Sequence, residues 1–390
     1  MSIILNRKKS DINRLAGVKP YPVKLASFEH ERIILMGLLD LLGFNKLPTG
    51  LAGSTLVIAD GVTLARAGGF LDALQTRFGN VALALTHAAN YAGNLPCLVL
   101  PDAADQVRSR LEKIGPQRLI LLGLDGSHAG LVQAAGCPAW WINAHDVQAA
   151  QAGCRAVTVS RDGMAVPGAQ VIGDPLAGVE QLPQIVTDMA LCERLKEQRE
   201  GGRWVGYFAG TGEDEEDLAY AIFSRLMRHK MGLMILAPRD PARCEPVYRE
   251  SIKYRLQTIR HARLSTSFIP IKTRVYYVED THPLEALYAC VDFVVVGATL
   301  HSHAKHAPDI ASPILHGRPV IVGPAHRDQP LLAAALAAGV VLAGDDNEQI
   351  FAHARTLIDD PAYSQQLAAQ AKAWLQTQAG ALERVVALIE

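Results

Sequence analysis

Hydroxyls, imidazoles and one acid crowd a single stretch of this chain. Asp280, Thr281, Thr299, His301, His303, His306 and Ser312 all fall in the loops that follow short apolar runs at 275–278 and 293–296. Beyond the carboxyl ends of such strands an open α/β sheet holds its ligands. Hydroxyls and spare amides at a helix start suit an anion, and imidazole can donate to phosphate or carboxylate. Thr281 and the pair Ser312-Pro313 each stand at a helix start, where helix capping is the competing reading. The loop HSHAKH also reads as a zinc site. No cysteine or paired carboxylate stands beside it, so the site is read without metal.

Two further features belong with this group. Gly210 and Thr211 sit in a turn between a strand and a helix whose first turn is acidic (Glu213, Asp214, Glu215, Glu216). The glycine allows backbone to approach a ligand, and the N-terminal amides favour an anion, while the acids satisfy the dipole and repel one. Arg239, in APRDP after another strand, can grip a phosphate or carboxylate with two hydrogen bonds. Pairing with Asp240 or Glu245 is the alternative.

These residues need a scaffold that places strand ends side by side, and the hydrophobic pattern supplies one. Strand-like runs at 55–59, 81–85, 97–100, 118–122, 139–142, 156–159 and 170–172 alternate with helical segments at 63–77, 103–114 and 128–134. After a turn-rich linker (173–183) and a helix at 184–200 the rhythm resumes. Runs at 204–208, 231–237, 274–278, 293–296, 319–322 and 340–342 precede helices at 347–358 and 362–390. This alternation predicts right-handed βαβ units and parallel sheets. The expected fold class is α/β, with two doubly wound, Rossmann-like domains facing a cleft. The boundaries read as a lead-in over 1–52, an N-terminal domain over 53–180, a C-terminal domain over 181–375 and a last helix over 376–390.

The composition narrows the function. With 38 Lys+Arg against 39 Asp+Glu and a net charge of −1, no basic field argues for nucleic acid. The six cysteines form no C-x-x-C pair and read as reduced thiols in apolar surroundings. The N-terminus turns charged too early for a signal peptide, and no long apolar run spans a bilayer, so a cytoplasmic protein is expected. Arg7, Lys8, Lys9, Arg14, Lys19 and Lys24 precede the apolar segment FEHERIILMGLLDLLGF. That segment reads either as a helix packed on its own domain or as one in peripheral contact with the inner membrane.

The second half resembles the Kdo (3-deoxy-D-manno-octulosonic acid) transferases of lipopolysaccharide assembly. YFAGTGEDEEDL is similar to their strand ending in A-G-S-T-H before an acidic helix start, and LMILAPRDPARCEPV to L-x-x-V-P-R-H-P-x-R-F. VEDTHPLEALYACVDFVVVGATL resembles D-T-x-G-E-L, L-Y-x-x-A-D and F-V-G-G-S-L. HAKHAPDIASPILHGRPVIVGP resembles G-G-H-N-P-L-E-P-A-x-x-G-x-P-V-x-x-G-P. In the first half VALALTHAANYAGNLPCLVLP and GPQRLILLGLDGSHAGLVQAAGCPAWWINA resemble the family's T-T-x-T-x-T-G and E-T-E-L-W-P-N segments. Three positions depart. The catalytic Glu of S-V-G-E is missing from IADGVTLARAGG, where Asp60 remains. The E-T-E carboxylates reduce to Asp125, and the Glu of N-P-L-E-P aligns with Ser312.

The resemblance implies a GT-B glycosyltransferase that moves an acidic sugar, Kdo or a relative, from a CMP-linked nucleotide sugar to a cell-envelope saccharide or glycolipid acceptor. It implies no cofactor beyond the donor. Asp60 or Asp125 would take the acceptor proton. Gly210, Thr211, Arg239, Asp280, Thr281, Thr299, His301, His306, Ser312 and Pro313 would hold the donor. Two alternatives stay open: a non-catalytic GT-B-like binding or scaffold protein, and a GT-B enzyme acting on a UDP sugar, a transferase or an epimerase.

Overall fold

Short runs of Val, Ile and Leu form strands buried on both faces, as parallel sheets require. The computed structural model describes residues 47–390 apart from 90, 92, 165, 265–267, 280–283, 302 and 304. Residues 1–46 of the lead-in, Asp280 and Thr281 therefore lie outside the described residues. The first lobe runs β1 (Thr55–Ala59), α1 (Gly61–Arg66), α2 (Gly68–Phe78), β2 (Val81–Leu85), β3 (Cys97–Val99), α3 (Ala104–Ile114) and β4 (Arg118–Leu122). It continues with α4 (Gly130–Ala135), β5 (Ala139–Ile142), α5 (Val147–Gln151), β6 (Ala156–Val159) and β7 (Gln170–Val171). All seven strands are parallel, in the order β3-β2-β1-β4-β5-β6-β7.

The second lobe repeats the plan with α6 (Met189–Glu200), β8 (Trp204–Thr211), α7 (Glu215–His229), β9 (Gly232–Pro238), α8 (Cys244–Lys253), β10 (Thr258–Arg260), β11 (Val275–Tyr277) and β12 (Phe293–Val296). Then come α9 (Ala311–Leu315), β13 (Val320–Val322), α10 (Pro330–Ala338), β14 (Leu342–Ala343), α11 (Asn347–Asp359), α12 (Pro361–Gln378) and α13 (Ala381–Ile389). Its sheet, also parallel, has the order β10-β11-β9-β8-β12-β13-β14. Two such doubly wound lobes in tandem are the GT-B type of architecture. Aspartates mark many of the helix starts: Asp60, Asp146, Asp188, Asp346 and Asp360 each accept from an amide in the first turn.

The linker is fixed by polar bonds to both lobes. Gly173 takes a φ of +96°, and a Cβ there would meet the Thr377 carbonyl oxygen at 2.5 Å, so only glycine fits. Next to it Asp174 accepts from Asn143 Nδ2 (2.6 Å) and Arg66 (3.2 Å), while its amide donates to Gln378 Oε1 (2.7 Å). The terminal helix expected over 362–390 breaks at Gly380, whose φ is +67°. Beyond the break α13 returns to the first lobe: Val385 and Ile389 join its core, and Trp140 Nε1 donates to the Leu388 carbonyl (3.0 Å).

One expectation is overturned. Cys192 and Cys290 form a disulfide, with Cα atoms 4.6 Å apart; the other four cysteines are not disulfide-bonded. Packing of α6 on the 3-10 turn Leu284–Cys290 brings these thiols together, and a separation of 98 residues gives no local sign of it. Among the described residues no helix is long and apolar enough to cross a membrane.

Candidate functional site

The order of the second sheet switches at β8: β9 and β11 lie to one side of it, β12 and β13 to the other. The crevice above the carboxyl ends of β8 and β12 is thus the place for a ligand. Gly210, at φ +65°, stands there one residue before the end of β8. Gly297 follows β12 so closely that a Cβ would stand 2.2 Å from the Gly210 carbonyl oxygen.

This crevice already contains an anion, and it belongs to the chain. Glu215, fully buried in the first turn of α7, accepts from four backbone amides. Oε2 takes Gly212 N (2.6 Å) and Ala298 N (2.7 Å); Oε1 takes Leu300 N (2.8 Å) and His301 N (3.1 Å). The amides around Thr299 are therefore committed to Glu215 rather than open to a phosphate. The Thr299 hydroxyl is also occupied, donating to Val296 O (2.5 Å) and accepting from Gly323 N (2.9 Å). Sequence alone does not single out Glu215, because an acid in a first turn reads simply as complementing the helix dipole.

Just outside the clamp lies a cavity of about 140 Å³ lined by Thr211, Gly212, Glu213, Arg239, Asp240, Arg243, His303, Lys305 and His306. The structure therefore brings together three of the residues expected from sequence: Thr211, Arg239 and His306. Arg239 is exposed, and its amide donates to Thr211 O (3.0 Å), which fixes the base of the side chain. His306 bonds through Nε2 to the Gly210 carbonyl (2.9 Å), so Nε2 carries the proton and Nδ1 remains for a ligand. Arg243 and Lys305 also line the cavity. Arg243 pairs with the buried Glu216 (2.8 Å), whose carboxyl burial pushes up against the opposing pull of Arg243. Asp240 caps its own turn through Ala242 N (3.0 Å), and His303 stands 3.6 Å from Asp214.

His301, Ser312 and Pro313, also expected from sequence, do not line this cavity. His301 packs its ring 4.2 Å from that of His303 and accepts from the His303 amide (3.3 Å). Ser312 and Pro313 are buried in α9, where Asp309 caps the Ser312 amide (3.0 Å) and His316 Nδ1 donates to Ser312 O (2.7 Å). Among the described residues no group of three or more His, Cys, Asp and Glu side chains could hold a metal ion.

The first lobe has its own switch point, between β1 and β4. Asp60 follows β1 and Asp125 follows β4, so both stand at the carboxyl ends of neighbouring strands, where Ile58 pairs with Leu121. Gly123 brings the second turn against α1, within 3.1 Å of Thr63 Oγ1 by its missing Cβ. Asp60 accepts from Thr63 N (2.6 Å) as a helix cap. Asp125 accepts from Ser127 N (3.0 Å), the Ser127 hydroxyl and His128 Nδ1 (3.1 Å). These bonds, the Ser127 hydroxyl first, hold its carboxyl below the usual carboxylate range. With Nδ1–H turned to the carboxylate, His128 keeps Nε2 as a proton acceptor. His128 is the second functional candidate that sequence left unassigned. Its sign was present: an imidazole three residues after an acid in a turn.

No family model matches the chain, and no curated protein matches it in sequence. Among solved structures it is similar to the C-terminal CMP-Kdo binding domain of WaaA from Acinetobacter baumannii, at 22% identity over 48% of this chain and 100% of that one, with a TM-score of 0.41. It is similar to MurG of Acinetobacter baumannii at 11% identity over 86% of this chain and 99% of that one, TM-score 0.41. UDP-GlcNAc 2-epimerase from Neisseria meningitidis, bound to UDP-GlcNAc, is similar at 14% identity over 86% and 99% of the two chains, TM-score 0.36. The two doubly wound parallel sheets, rather than these distant likenesses, carry the assignment of fold.

Proposed function

We propose that the chain is a glycosyltransferase whose second lobe holds the phosphate of a nucleotide-activated sugar and whose first lobe deprotonates the acceptor. The observation that supports this most is the cavity of Arg239, Arg243, Lys305 and His306 at the switch point of the second sheet. Cations there offset the charge that grows on a departing phosphate, usually the largest electrostatic contribution to such a step. Because Glu215 fills the amide nest, side chains rather than backbone amides take that role. The sequence resemblance favours a CMP-linked acidic sugar of the Kdo type as donor, and a cell-envelope saccharide or glycolipid as acceptor.

In the reaction the acceptor oxygen attacks the anomeric carbon of the donor. The bond from that carbon to the phosphate oxygen breaks, and the nucleotide leaves with the electron pair. The acceptor proton passes to a first-lobe base, either Asp60 or His128 oriented by Asp125. Base assistance of this kind is worth roughly 10²–10⁴ in rate. Incubation with CMP-Kdo and a panel of saccharide and lipid A-type acceptors is expected to release CMP only when an acceptor is present. No release across CMP-, UDP- and GDP-sugar donors would overturn the proposal.

A second reading has an observation of its own. The carboxylates of both switch points bond to their own backbone: Glu215 to the nest, Asp60 to its helix cap. A binding protein on the same scaffold would show this internal satisfaction without turnover. Thermal stabilisation by CMP over UDP and GDP, with no product formed, would mark that outcome.

A further inference from the structure

At the opposite edge of the second sheet lies a larger cavity, about 360 Å³, under the amino ends of β8, β9, β12 and β13. Its walls carry four cations, Arg199, Arg203, Lys230 and Arg318, against one carboxylate, Asp292. The residues around these cations are mostly apolar, with Leu357, Ile358 and Pro361 at the junction of α11 and α12. None of them takes part in the site at the carboxyl edge.

The charge here is poorly compensated from within. Arg203 is 6% exposed, and among the described residues its guanidinium meets only neutral acceptors: Gly232 O (2.6 Å), Thr273 O (2.6 Å), Ile271 O (3.0 Å) and the Gln198 side chain. Arg318 donates to Ala289 O (2.8 Å), and Arg199 lies 3.6 Å from Asp292. Asp292 also accepts from Val205 N (2.8 Å). Among the described residues, the Nε–H groups of Arg199, Arg203 and Arg318 are all buried without an acceptor. Burial, together with the nearby Arg199 cation, pushes the Arg318 guanidinium down; Asp292 pulls the other way. Buried cations are ordinarily paired, because an unpaired one loses its hydration without return. Arg203 is the buried cation of the four and has no carboxylate partner among the described residues; with Arg199 and Arg318 half-buried and Lys230 exposed, the walls carry a formal excess of three positive charges.

We propose that this cavity is a second anion site, which takes a compact phosphate-bearing ligand, free phosphate or a phosphomonoester. Such an anion supplies the missing counter-charge and gives acceptors to the cluster. The site is independent of donor turnover at the carboxyl edge.

The test titrates inorganic phosphate and CMP into the full chain at ionic strength held constant with chloride, on an Arg239→Gln background that weakens the carboxyl-edge cavity. Saturable binding of phosphate by calorimetry is expected. Lys230→Met should weaken it about tenfold through loss of one nearby charge. Lys230 is exposed, and only its backbone carbonyl holds Trp204 (2.8 Å), so the fold is preserved. Asp292→Asn keeps an acceptor for Val205 N and should tighten binding several-fold. Tighter binding of phosphate than of CMP would assign free phosphate, and CMP binding that Lys230→Met weakens in step with phosphate a phosphomonoester. Binding unchanged in both Lys230→Met and Asp292→Asn, or matched by chloride alone, would overturn the site.

Discussion

The two lobes share a topology and part company at their switch points. In the first, between β1 and β4, the acids act locally: Asp60 caps the helix that begins at Gly61, and Asp125 holds the turn of Ser127 and His128. In the second, between β8 and β12, one carboxylate reaches across two loops and gathers amides of Gly212, Ala298, Leu300 and His301. Each crevice offers amides, because each collects the ends of parallel strands. What neutralises those amides differs, and so does the chemistry left at the surface. The first lobe presents a carboxylate and an oriented imidazole. The second presents Arg239, Lys305 and His306 at a cavity outside the buried Glu215 clamp.

If this division into a basic and a cationic half is right, removal of the base should have the largest effect. Under the transferase reading, His128→Ala is expected to lower acceptor-dependent CMP release by about 10²–10⁴ with donor binding unchanged. A comparable loss in Asp60→Asn, with His128→Ala active, would move the base to β1. Next in size, Arg239→Gln should lower turnover by about 10²–10³. Its side chain is exposed, so the melting temperature should stay within error of the parent. Equal turnover in parent and variant would dissolve the contrast between the lobes.

Much of the architecture was legible because each buried strand is a short run of apolar residues between turns. The runs at 55–59, 81–85, 118–122, 139–142 and 293–296 became strands with those bounds. Less of the site was legible. Thr211, Arg239 and His306 stand at strand ends or in loops, where position alone suggests a ligand, and they line one cavity. Thr299 and Ser312 have the same credentials, yet the first ties β12 to the turn after β13, and the second is buried in α9. Glu215 escaped notice for the converse reason. Three of its four partners lie 83 to 86 residues away, and the register of β8 against β12 brings them near. The pairing of Cys192 with Cys290 depends on helix packing in the same way.

The clamp itself can be broken. Glu215→Gln keeps the volume but turns an NH₂ toward backbone amides that need an acceptor. Two buried N–H groups are left unpaired at about 1–3 kcal/mol each, so a loss of about 2–6 kcal/mol is expected in urea denaturation. Unchanged stability would mean that the amides find other acceptors and that the nest is open to ligand.

The smallest effect tests the other side. The folded Asp125 carboxyl is depressed, so the stability it contributes is present above the ordinary carboxylate pKa of about 3.9. That stability is lost as pH falls through the depressed folded value. Ser127→Ala removes the leading cause of the depression and should lift the carboxyl toward 3.9, read by NMR titration. The Asp125 side chain is 66% exposed, so solvent screens the pair and the change in stability should stay within about 0.5 kcal/mol. A carboxyl that stays depressed in Ser127→Ala but rises in His128→Ala would make the imidazole its principal partner. That result would bind Asp125 and His128 more tightly as an acid–base pair, and it would widen the contrast with Glu215, whose partners are all backbone.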